Sequence, residues 1–139
     1  MNEQDRLAIA ASAFAKLEKM HSAFMQRVAT LDNRKVNCGE VSVQDNELIV
    51  TCLGKQLLAH HRLIARDGLF RAIEYAFFTT HTNENLHVCT IYLEADDDLY
   101  ADAMQRERVC GSMNVYLATH VVESVASALL KSPVFAARE

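Results

Sequence analysis

Residues 40–78, EVSVQDNELIVTCLGKQLLAHHRLIARDGLFRAIEYAFF, constrain the fold more than any other stretch of the chain. Apolar residues recur there with a period near two, and three pairs punctuate the run: Asp45-Asn46, Gly54-Lys55 and Asp67-Gly68. Each pair suits a two-residue hairpin loop, with Asx first for a type I′ turn and glycine first for type II′. Residues 69–78 also fit helical spacing through Leu69, Ile73 and Phe77, but the Asp67-Gly68 turn decides for a strand. A fourth turn at 83–85 leads into LHVCTIYLEA. The expectation is a five-stranded antiparallel meander over 39–44, 47–53, 56–66, 69–80 and 86–95.

Helical periodicity flanks this run. Over 3–31, Leu7, Phe14, His21 and Val28 fall seven apart, as do Ala10, Leu17, Phe24 and Leu31. Asn2 can cap such a helix, and Glu3 and Asp5 suit the positive end of its dipole. The seam fits a helix laid on a sheet, or one that pairs with a second copy. A last helix is expected from Ser112, an N-cap residue, to about Lys131, with Pro133 beyond its stop. Its stripe is Leu117, Val121, Val125 and Leu129, with Val122 and Ala128 beside it. The fold class is α+β over a single domain, residues 1–139, with both helices on one face of the sheet.

Bulk properties narrow the function classes. A net charge of −4 argues against a general nucleic-acid binder, which needs a basic face. No apolar run approaches the roughly 20 residues of a membrane span. MNEQDRLAIA carries acids where an export signal carries bases, so the reading is a cytoplasmic protein with no membrane association. Cys38, Cys52, Cys89 and Cys110 contain no CxxC and are expected as reduced thiols. EADDDLYAD lacks the ligand spacing of a calcium loop and reads as a surface loop or helix start. Gly39, Gly54, Gly68 and Gly111 form no phosphate-cradling loop, and no cofactor is expected.

Two-residue turns allow register arithmetic. Around Gly54-Lys55, 48 faces 61; around Asp67-Gly68, 61 faces 74. One sheet face then collects Val41, Val43, Leu48, Val50, Cys52, Leu57, Ala59, Leu63, Ala65, Phe70, Ala72, Ala76 and Phe78, joined by Cys89, Ile91 and Leu93. His61 and Glu74 stand opposite each other in its middle, either as a mutually satisfied core pair or as an acid-base pair. The second option would make a small-molecule-binding protein or hydrolase. His87 and Cys89, two apart on one strand and joined by His61 or His81, form a further alternative, an imidazole-thiolate metal site. His120 and Glu123 lack the second histidine of a zincin helix. No catalytic residue and no resident metal are assigned.

The other face carries arginines among aromatic and branched residues, the composition enriched at protein interfaces. His60, Arg62, Arg66, Arg71, Tyr75 and Tyr92 are the candidate partner-binding residues. The adjacent histidines therefore diverge, with His61 toward the core and His60 beside Tyr75 on the mixed face. The favoured function is a non-catalytic protein-binding module of adaptor, chaperone or inhibitor type. It is expected to act as a homodimer, formed through the mixed face or an exposed part of the first helix.

Overall fold

A computed structural model describes residues 1–31 and 38–138. Helix α1 (Glu3–Leu31) is followed by strands β1 (Gly39–Gln44), β2 (Glu47–Cys52), β3 (Lys55–Arg66), β4 (Leu69–His81), β5 (Glu84–Glu94), β6 (Asp98–Tyr100) and β7 (Arg108–Gly111). Helix α2 (Leu117–Leu130) and a short 3-10 turn (Pro133–Phe135) close the chain. The strands form one antiparallel meander in sequence order. The α+β class and the helix–meander–helix order are as the periodicity predicts. The sheet, however, has seven strands rather than five and curls into a half-barrel.

Four type I′-like loops join β1 to β5. Their central residues all have positive φ: Asp45 and Asn46, Leu53 and Gly54, Asp67 and Gly68, Thr82 and Asn83. The second loop is a correction, because Leu53-Gly54 and not Gly54-Lys55 forms the turn. Cys52 faces Lys55 and Val50 faces Leu57. Glycine at the second loop position suits type I′, where both central residues need positive φ. The slip moves each partner by two residues, so β2 and β3 keep the expected faces.

The larger correction lies in β4. Ala65 faces Phe70 but Ile64 faces Ala72, which leaves Arg71 as a bulge whose carbonyl accepts from the Ala95 N–H. One extra residue inverts every later side chain. Ile73, Tyr75 and Phe77 turn into the core, at 0%, 1% and 0% exposure. Ala72, Glu74 and Ala76 turn outward instead. Burying a large apolar side chain contributes about 1.5–3 kcal/mol. Three of them outweigh the ladder bond lost at a bulge, about 0.5–1.5 kcal/mol. A second bulge at Val88 reverses the parity of β5, since Phe78 faces His87 while Phe77 faces Cys89. Cys89, Ile91 and Leu93 thus reach the helix side, as expected.

Both helices pack on that side. The Asn2 side chain accepts from the Asp5 N–H at 2.8 Å, capping α1 as its sequence predicts. Leu17, Phe24, Met25 and Val28 are its buried residues. In α2, Leu117, Ala118, Val121, Val122, Val125, Ala126 and Leu129 are buried. Three of these, Val121, Val122 and Val125, are β-branched, so burial and not propensity secures this helix. Ser112 does not cap α2, which begins five residues later without a side-chain cap. Strand β6 occupies the stretch read as loop or helix start and β7 follows it, each anchored by one buried residue, Leu99 and Cys110. Among the described residues no helix is long and apolar enough to cross a membrane.

Candidate functional site

The bulges decide which candidate residues meet. On the outer face, register places Arg62 opposite Glu74, Glu74 opposite Tyr92, Tyr92 opposite Tyr100 and Tyr100 opposite Arg108. This is one row across five strands. Arg62 Nε donates to Glu74 Oε1 at 2.7 Å, and Arg108 donates from Nε and Nη2 to Asp98 at 3.1 Å each. The Tyr100 hydroxyl donates to Asp96 at 3.0 Å. Burial and Glu74 push the Tyr92 phenol up, against the opposing pull of Arg66 and Arg62. Tyr92 thus stands neutral between paired charges.

Farther along β3, Arg66 makes a bidentate pair with Glu94 at 2.6 and 2.9 Å. Glu94 is 1% exposed and also accepts from Gln105 at 2.7 Å. Hydrogen bonding to Glu94 pushes the Arg66 guanidinium up. The arginines near Tyr92 are therefore neutralised in place, and the patch is a fixed mosaic of both signs.

Toward the opposite end of the face lies an apolar row: Ile49, Leu58, Phe78 and His87, matched by register across β2 to β5. His60 and His87 flank the Phe78 ring, with centroids 4.9 and 5.2 Å away. Between the two rows sits a third, His60–Ala76–Thr90, in which Ala76 and Thr90 are small. Same-face residues along a strand are about 6.8 Å apart. The outer two rows therefore stand about 14 Å apart, with Ala76 and Thr90 between them.

Four of the six expected binding residues, His60, Arg62, Arg66 and Tyr92, share this face. Arg71 sits on the bulge at its edge. Tyr75 does not belong to it, because the bulge turns the ring inward. Tyr100 and Arg108 were missed by sequence reasoning. The alternation Asp98-Leu99-Tyr100 is the signal that could have revealed the extra strand.

The pair His61 and Glu74 also falls apart, since the two side chains lie on opposite faces. His61 does point to the helix side but is exposed there, and it faces Tyr75 in register. Its ring stacks on His21 of α1, with centroids 4.0 Å apart and planes at 16°. His21 Nδ1 is 2.8 Å from the Tyr75 hydroxyl. Burial, with the nearby His61 second, lowers His21 to about 4. Burial also pushes the Tyr75 phenol up. Both rings are therefore neutral at physiological pH, and the carboxylate that would complete an acid-base pair is absent from the cluster.

His87 and Cys89 separate as well. The Val88 bulge puts His87 outside, 2.7 Å from Thr90 Oγ1, and Cys89 inside against the core. Burial pushes the Cys89 thiol up to about 12, which opposes the thiolate that a metal needs. No group of three or more histidine, cysteine or acidic residues is placed to hold a metal ion among the described residues.

Comparison with protein-family models, with curated proteins and with solved structures finds no match to this chain.

Proposed function

We propose that the protein is a non-catalytic protein-binding module, of adaptor, chaperone or inhibitor type, whose outer sheet face receives a helix of its partner. The observation that carries this reading is the row Arg62–Glu74–Tyr92–Tyr100–Arg108 standing beside the row Ile49–Leu58–Phe78–His87, with Ala76 and Thr90 between them. No described element packs over this face. With about 14 Å between the rows, a helix about 10–12 Å across can lie over the middle row and touch both outer rows. The apolar row offers a desolvated strip for one side of that helix. The opposite row offers guanidinium and phenol groups already held by hydrogen bonds, which lowers the entropy lost on binding. The partner helix is accordingly amphipathic, with polar residues of both signs along one edge.

The homodimer belongs to the same reading, and α1 suits it better than the sheet. Residues 7–15, LAIAASAFA, carry one polar side chain, yet Leu7, Ile9 and Phe14 are 61%, 45% and 39% exposed. A helix segment apolar on nearly all sides calls for burial. Pairing through α1 leaves the sheet face free for a different protein.

The test is capture of binding proteins from the native host by three chains: wild type, Arg62→Glu/Tyr92→Ala, and Ala76→Tyr. The last puts bulk on the middle row and leaves both outer rows intact. Both variants are expected to lose the proteins that the wild type retains. Equal yields from the Ala76→Tyr chain would overturn the reading.

A further inference from the structure

A second cleft lies on the other side of the molecule, between α1 and the loop joining β7 to α2. Its volume is about 420 Å³, within the range of small-molecule sites. Met20, Ala23 and Phe24 of α1 form its floor and Met113 of the loop stands across from them. The loop wall is braced. Arg27 donates from Nε to the Ser112 carbonyl at 3.0 Å, and from Nη2 to the Met113 and Asn114 carbonyls at 3.2 and 3.4 Å. The Ser112 N–H donates to the Asp97 carbonyl at 3.0 Å. The cleft is therefore pre-formed and does not depend on an occupant to hold its shape.

Charge is distributed unevenly along it. Lys16 and Lys19, one helical turn apart, stand at the end nearest the α1 N-terminus, and neither has an ion-pair partner among the described residues. Arg27 closes the far end, with its Nε and Nη2 engaged by the loop carbonyls. Asp97 is the one carboxylate on the lining, against the two free ammonium groups. From Lys16 to Arg27 the helix rises about 16 Å. An anionic head at the lysines leaves about ten ångströms of apolar floor for a tail.

We propose that this cleft binds a single-chain amphipathic carboxylate, with its head group at Lys16 and Lys19 and its acyl chain over Met20, Ala23 and Phe24. The inference is independent of the sheet-face reading, because the two surfaces share no residue. The apolar floor supplies affinity and the lysines select the sign of the head group. Arg27 is a positioning residue, acting through the loop it holds.

The test uses the full chain with methyl-labelled methionines and decanoate as the probe, below its micelle concentration. Met20 and Met113 report on the cleft, and Met104, 69% exposed and off the lining, is the control for diffuse binding. Saturable shifts of Met20 and Met113 with Met104 unmoved are expected. Lys16→Glu/Lys19→Glu should weaken binding about tenfold, and Ala23→Trp should abolish it. Butyrate, which lacks the tail, and decyltrimethylammonium, which reverses the head, should bind at least tenfold more weakly than decanoate. Three outcomes would overturn the proposal: no saturable shift, affinity unchanged in the Lys16→Glu/Lys19→Glu chain, or equal affinity for the cationic probe. Tight binding of an acidic amphipathic peptide without decanoate binding would also overturn it, reassigning the cleft to a peptide.

Discussion

Four residues carry consequences that can be measured one at a time. Leu53 occupies the first position of its turn in left-handed geometry, with φ at 50°. A leucine pays sterically there, whereas asparagine tolerates that region. Leu53→Asn should stabilise the chain by about 0.5–1 kcal/mol, read from the urea unfolding midpoint. Arg66 and Arg62 look alike in the sequence and differ in what they hold. Removing Arg66 strands the buried Glu94 carboxylate with Gln105 as its remaining partner, so Arg66→Ala should cost about 2 kcal/mol. Arg62 is 72% exposed, and Arg62→Ala should leave the unfolding midpoint unchanged. His21 sets a pH dependence. The unfolded chain protonates His21 below about pH 6.5, while the folded chain resists until about pH 4. Its contribution is complete above pH 6.5 and is lost as pH falls through that window. The loss is about 1–2 kcal/mol once solvent screening of the half-buried ring is allowed for. Comparing wild type with His21→Gln at pH 7.5 and 4.5 checks it, and the variant should show the smaller drop.

At the scale of elements, legibility divides between period and register. The bounds of α1 and the first strands follow from local patterning, because capping residues and Asx or glycine turns act within a few positions. Register does not, because one bulge reverses the faces beyond it. In β4 both parities present apolar residues, Phe70, Ala72, Ala76 and Phe78 against Ile73, Tyr75 and Phe77. Alternation alone cannot choose between them. Size and charge could have chosen: the observed parity buries the larger set and places Glu74 against Arg62 instead of inside. That one choice moves Tyr75 from the outer face to the core and separates His61 from Glu74. His60 and His61 still diverge as expected, because β3 itself carries no bulge. In α1 the heptad seam is continuous, but its buried residues begin at Leu17, with Phe14 edge-on to Phe70 one turn before it. If the first half pairs two copies, Leu7→Glu/Ile9→Glu should convert a dimer into a monomer in sedimentation equilibrium while leaving the helical circular dichroism near its wild-type value.

At the scale of the whole molecule, two helices fill the half-barrel and leave its outer face to solvent. The helix–sheet layering was legible because it follows from which segments carry period 3.6 and which carry period two. The last two strands were not, since each contributes a single buried residue to the core and acidic residues surround β6. Those strands supply Tyr100 and Arg108, which extend the Arg–Glu–Tyr row to its full width. Sequence reasoning thus found the centre of the candidate face and missed one end of it. The most direct measurement is oxidative footprinting of the chain with and without its captured partner. Protection of His60, Phe78, Tyr92 and Tyr100 together, with Met104 unchanged, is the predicted result. Unchanged labelling of all four outer-face residues in a saturated complex would contradict the account.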